Sequence, residues 1–118
     1  MSDTLKLVCQ LFDQADDLVC LATLRARPFY WNPAGRRRLG LTADADLSAQ
    51  SLFGFYSKET QSLLRKAAFP AVRDAGRWEG KGALRDRQTG ASFDVQITAF
   101  LVRHPRKKKS VCLALVHR

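Results

Sequence analysis

The order of segments predicts an α+β domain. It is a five-stranded antiparallel sheet with helices on one face and a separate amphipathic helix flanking it at the N-terminus. Three observations carry the prediction. Two short strand-forming runs precede a polar and helical middle, and three longer alternating runs follow it. The connections within each group are short, as antiparallel neighbours require. The middle has apolar residues at four-residue steps, a helix period rather than a strand period.

The segment from Asp3 to Ala15 reads as the flanking helix, because Leu5, Val8, Phe12 and Ala15 recur at three- and four-residue steps. Leu7, Cys9 and Leu11 widen its apolar arc beyond the roughly 100° stripe that docking on one surface needs. The extra width calls for a second surface. A twin helix from another copy, meeting Leu5, Val8, Leu11 and Phe12, is the simplest; deeper burial in the same domain is the alternative.

Leu18 to Leu24 is a β-prone apolar run, Arg25-Ala26-Arg27 suits a turn, and Phe29, Tyr30 and Trp31 favour a second strand. Asn32 then stands at a helix N-cap with Pro33 at the first helical position, where its missing N–H costs nothing. Leu39 gives that helix an apolar contact, and Gly40 can take the left-handed position that ends it.

The stretch from Leu41 reads as a loop with one or two short helices, with apolar clusters at Leu47, Leu52, Phe53 and Phe55. Ser57 caps the next helix, whose apolar face is Leu63, Leu64, Ala67, Ala68, Ala71, Val72 and Ala75. Pro70 removes a backbone donor inside it, so a kink or break is expected near Phe69. Gly76 ends it. In the third strand Trp78, Gly80, Gly82 and Leu84 share a face. Asp86 to Gly90 is a hairpin turn. In the fourth strand Phe93, Val95, Ile97, Ala99 and Leu101 share a face. A basic loop from His104 to Lys109 leads into a last apolar strand, Val111 to Val116.

The 118 residues fit one domain with one core, and no apolar run reaches the length of about 18 residues needed to span a bilayer. The N-terminus lacks the layout of a secretion signal. Three cysteines (Cys9, Cys20, Cys112) are an odd count without C-x-x-C spacing, which argues against disulfide or zinc frameworks and for a reducing cytoplasm. Each lies in an apolar segment and reads as core filler. The formal charge is +9, and it is uneven: acidic through Leu24 and basic beyond. Such a balance attracts nucleic acid or anionic lipid, or belongs to one basic domain of a larger protein. The clusters Arg36-Arg37-Arg38 and Arg106 to Lys109 read first as solvated surface, because no helix-turn-helix or base-stacking platform accompanies them. Nothing pairs His104 or His117 with a nucleophile, and no phosphate loop occurs, so no catalytic residue is assigned. No metal-ligand set is assigned either.

Several of these segments resemble a PAS domain. The matching residues are Asp16-Asp17, Tyr30-Trp31-Asn32-Pro33-Ala34, Leu39-Gly40, Gly76-Arg77-Trp78-Glu79-Gly80, Arg85-Asp86-Arg87 and Gly90-Ala91-Ser92-Phe93. The family often has Asp near Thr23 and Gly near Ala26, which leaves the type of the first turn open; Gly82 also departs from its usual polar residue. The resemblance covers about residues 10–118. It divides the chain into a flanking helix, 1–15, and a PAS domain, 16–118.

The resemblance implies a cytoplasmic sensory or regulatory module of a signalling protein, with a two-component sensor histidine kinase as the commonest host. It implies a homodimer that passes a bias to a C-terminal effector, and no catalysis by this segment. Many members end the last strand in an Asp-Ile-Thr triplet. This chain stops at His117-Arg118, about where the triplet would begin, so a fragment of a longer protein is expected. A ligand-free docking module of a diguanylate cyclase or transcription regulator is the alternative, and a basic nucleic-acid or anionic-lipid binder a further one.

Haem sensors of the family carry an axial His on the long helix, and Ser57 to Ala75 has none; flavin sensors carry a reactive Cys in a middle helix, and Leu47 to Tyr56 has none. The resemblance therefore implies neither haem nor covalent flavin, leaving an unidentified small apolar ligand as the possible occupant. A pocket for it would be walled by Val19, Leu21, Tyr30, Trp78, Val95 and Ile97 from the strands. Leu52, Phe55, Leu64 and Ala68 would close it from the helices. Thr23, Tyr30 and Asn32 would supply its polar contacts. The competing reading is that these residues fill a core, and large side chains such as Trp31, Phe53 and Phe55 favour a filled one.

Overall fold

The computed structural model describes residues 3–104, 106–107 and 109–118, without the side chain of Thr4. Met1 and Ser2 of the expected flanking helix, and Pro105 and Lys108 of the basic loop, lie outside the described residues. Five strands form one antiparallel sheet: β1 (Leu18–Ala22), β2 (Pro28–Trp31), β3 (Arg77–Arg85), β4 (Ser92–Arg103) and β5 (Ser110–His117). Their spatial order is β2-β1-β5-β4-β3, so the last strand lies at the centre beside the first, with Leu18 opposite His117 and Cys20 opposite Leu115.

The chain crosses from the β2 edge to the β3 edge through α2 (Pro33–Leu39), a 3₁₀ turn (Leu52–Phe55), α3 (Lys58–Leu63), a π turn (Leu64–Ala68) and α4 (Phe69–Ala75). These cover one face. The alternation read from the sequence holds for β3 and β4: Leu84, Val95, Ile97 and Ala99 point into the helical layer and meet Leu52, Phe55, Leu64 and Ala68. Burying each Leu or Phe side chain stabilises by roughly 1.5–3 kcal/mol, so this layer is the main core.

The opposite face is covered by α1 (Asp3–Asp13). Leu5, Val8, Cys9 and Phe12 pack on Leu21, Cys112 and Ala114. β1 is thus covered on both sides, which is why its sequence shows a continuous apolar run instead of alternation.

The expected caps form. The Asn32 side chain accepts from Gly35 N at 2.9 Å, and Ser57 Oγ accepts from Thr60 N at 3.3 Å. Gly40 and Gly76 close α2 and α4 with φ of +73° and +83°. Pro70 has the predicted effect in a milder form. Its missing N–H is absorbed by the π turn just before it, where Phe69 N donates to Leu64 O, and the helical path continues.

One boundary differs from expectation. β1 ends at Ala22, not Leu24, because Thr23 N donates to Arg27 O and Ala26 N to Thr23 O, both at 2.8 Å. Ala26 closes this turn at φ +64°, the left-handed conformation that suits glycine. Leu24 is left at the tip of the turn.

Candidate functional site

The twelve expected pocket residues do not come together. Leu52, Phe55, Leu64, Ala68, Val95 and Ile97 do meet in the helical layer, with Trp78 half-buried at its edge. Leu21 and Tyr30 belong to the other face, against α1, and Val19 alternates with Leu21 to that side. β1 presents Cys20 and Ala22 inward instead. The sequence carries no phase for β1, because that strand is apolar on both faces. β2 adds a second irregularity: the register shifts so that Ala22 pairs with Pro28, and Trp31 alone of its aromatic residues turns inward. Thr23 is exposed, and its Oγ1 accepts from Arg27 N at 3.1 Å as part of the turn.

Asn32 is fully buried, but every atom of its amide is used structurally. Oδ1 accepts from Val19 N at 3.0 Å as well as from Gly35 N. Nδ2 donates to Phe12 O at 3.0 Å and Asp17 O at 2.8 Å. One side chain thus caps α2, starts β1 and holds the C-terminal end of α1. Beside it the Tyr30 hydroxyl donates to Asp13 at 2.5 Å; burial, and then that bond, raise its pKa.

A polar and aromatic cluster that no local sequence pattern predicts occupies the interior. His117 closes β5 and is fully buried. Its Nδ1 lies 2.8 Å from Leu18 O, a pure acceptor, so Nδ1 carries the proton. Nε2 is therefore bare and accepts the Tyr56 hydroxyl at 2.7 Å. Trp31 stacks on the imidazole with centroids 5.4 Å apart and meets Phe55 edge-on at 5.2 Å. Burial lowers the pKa of His117 to about 4, with the bond to Leu18 opposing, and raises that of Tyr56 well above its ordinary value. A neutral imidazole and a neutral phenol, both sealed from water, join β1, β5 and the helical layer at one point. Trp31 Nε1, in the same cluster, is a buried donor without a hydrogen-bond partner among the described residues.

Two of the recesses formed by the described residues flank the sheet outside this core. One, of about 640 Å³, runs between α3 and the β3–β4 hairpin, with Glu59, Lys81, Asp94 and Arg118 among its walls. The other, of about 500 Å³, lies beside α4 at the opposite end of the sheet. Among the described residues no group of three His, Cys, Asp or Glu is placed to hold a metal, and no helix is long and apolar enough to cross a membrane. Cys20 and Cys112 are buried thiols whose pKa values burial raises, that of Cys112 to about 11.

Of the expected dimer residues, Leu5, Val8 and Phe12 pack on the chain's own sheet, so they are not available to a second copy in this arrangement. Leu11 is 74% exposed, and Leu7, one helical turn before it, is 63% exposed. The second half of the wide apolar arc is therefore Leu7 and Leu11.

Solved structures with this architecture are numerous. The PAS domain of a protein from Colwellia psychrerythraea superposes with a TM-score of 0.79 at 16% identity, covering 98% of this chain and 96% of that one. A PAS domain from a two-component sensor histidine kinase gives 0.71 at 15% identity, covering 98% and 95%. A domain of a sensory box sensor histidine kinase/response regulator from Geobacter sulfurreducens gives 0.71 at 20%, covering 98% and 93%. At these identities the likeness is one of fold. No curated protein matches the chain in sequence. The PAS fold family model matches residues 7–118. With the strand order in place and that match spanning nearly the whole sequence, the chain belongs to the PAS family of sensory domains.

Proposed function

We propose that this PAS domain is the cytoplasmic input module of a signal-transduction protein, with a two-component sensor histidine kinase as host, and that it works as a homodimer through α1. The carrying observation is the split face of α1: Leu5, Val8 and Phe12 on the sheet, Leu7 and Leu11 exposed. A helix held on one side only by its own sheet can be biased by a partner on the other. Asn32 Nδ2 grips the end of α1, its Oδ1 holds Val19 in β1, and Leu18 O holds His117 in β5. These contacts form a connected route from the dimer face to the central strands. A population shift in the docking of α1 would pass along it to an effector domain.

The test is molar mass by light scattering over a range of concentrations. A dimer is expected for the native chain, and a monomer for Leu7→Asp/Leu11→Asp. A monomer throughout, or a dimer indifferent to both substitutions, overturns the reading. A small-ligand reading rests on Trp31 Nε1, whose unpartnered donor suits a ligand acceptor. Native mass spectrometry of the purified protein, searched for a co-purified small molecule lost on Trp31→Phe, tests it.

A further inference from the structure

The charge of +9 is concentrated by the fold. At the end of the sheet where β1 enters its turn, basic residues from separate segments converge. Ala22 pairs with Leu113 near the start of β5, Arg103 with Ser110, and Arg77 with Phe100. Leu101 N donates to Gly76 O at 3.2 Å, bringing the end of α4 to the same place. This puts Arg25 and Arg27 of the β1–β2 turn near Arg103 and the β4–β5 hairpin. The hairpin is tied by His104, whose N donates to Lys109 O at 2.8 Å and whose Nδ1 accepts from Arg106 N and Lys107 N, each at 3.1 Å. Arg106, Lys107 and Lys109 are exposed on it. The carboxylates of this end, Asp74 and Glu79, are taken by Arg73 and Arg77. Asp17 and Asp94 sit towards the other end, on the approach to β1 and near the start of β4.

The same end carries exposed apolar surface. Leu24 is 58% exposed, next to Arg25. It borders the recess of about 500 Å³, lined by Phe69, Pro70, Val72, Leu101 and Leu113 together with Arg65 and Arg73.

We infer that this end docks on an anionic lipid surface, with the arginines and lysines on headgroup phosphates and Leu24 in the acyl boundary. Charge complementarity selects a polyanion, and the apolar tip selects among polyanions. Single-strand nucleic acid is gripped by exposed aromatic rings that stack on bases, whereas the large apolar side chain exposed here is a leucine. A leucine among cations matches the layered chemistry of a bilayer interface.

The test is flotation of the chain with vesicles of phosphatidylcholine alone or with added phosphatidylglycerol. Binding to the anionic vesicles only is expected, strong at about 0.1 M salt and lost near 1 M as screening shortens. Arg106→Ala/Lys107→Ala/Lys109→Ala should weaken it about a hundredfold, at roughly fivefold per cation. Leu24→Ser should weaken it about tenfold and leave binding to a single-stranded oligonucleotide unchanged. Arg25→Ala/Arg27→Ala serves if circular dichroism shows that the hairpin variant misfolds. Equal binding to neutral vesicles overturns the inference, as does indifference to either class of substitution. Preference for the oligonucleotide or an acidic peptide over anionic vesicles overturns it too.

Discussion

Replacing His117 by Gln should remove most of the acid sensitivity of this fold. The imidazole is buried and neutral, with Nδ1 donating to Leu18 O and Nε2 accepting from Tyr56. Protonating Nε2 would place a charge in the core and turn the acceptor for Tyr56 into a second donor. The pKa is lowered from 6.5 to about 4. The unfolded chain therefore takes up a proton between pH 6.5 and 4 while the folded chain does not, so stability falls with falling pH in that window and is complete above it. A shift of that size corresponds to about 3 kcal/mol in all. Taking an m-value of about 1.5 kcal/mol/M, the urea midpoint of the native chain should drop by roughly 2 M across the window. His117→Gln should start lower at pH 7, by about 1–2 kcal/mol for imperfectly replaced hydrogen bonds, and the falling native curve should meet it and drop below it before pH 4. Urea midpoints measured by Trp fluorescence at several pH values provide the assay. Two curves that stay parallel from pH 7 to pH 4 would refute the reasoning, because the buried imidazole would then not be the titrating group.

Three further outcomes follow from local geometry. Asn32→Ala should destabilise by about 3 kcal/mol, combining a lost cap with stranded groups at Val19 N, Phe12 O and Asp17 O. Asn32→Asp keeps the capping oxygen and loses the donor, so equal stability of Asp and Asn by urea titration would deny the grip on α1. Gly82→Ala should cost about 1–3 kcal/mol in the same assay, since a Cβ there would lie 2.7 Å from Ile97 Cδ1 and 2.8 Å from Thr60 Cγ2, between the sheet and α3. Ala26→Gly should stabilise by about 0.5 kcal/mol, because relief of the φ +64° strain outweighs the added chain entropy. A calorimetric melting point unchanged or lowered would contradict it.

Local rules were enough for the elements themselves. Asn32-Pro33, Gly40, Ser57 and Gly76 each act at a helix end through their own backbone chemistry, so their roles were legible without neighbours. The inward faces of β3 and β4 were legible because those strands show enough alternation to separate the helical layer from the other side. β1 was not, since an apolar run covered on both faces has no visible phase. The wide arc of α1 told of more apolar surface than one sheet contact needs, but not which residues the sheet would cover. His117 illustrates the limit most clearly: its partners Leu18 and Tyr56 are 99 and 61 residues away in sequence, and nothing in the apolar run before it marks it as buried.

By itself the sequence determined the order of elements, their caps and the sensory family, because these depend on residue type and short spacing. Tertiary structure alone decided which face of β1 looks inward, how Asn32 exhausts its hydrogen bonds, and where the positive charge collects. Those outcomes depend on antiparallel register between distant segments, and a pairing slipped by one residue would have sent every side chain of a strand to the opposite face.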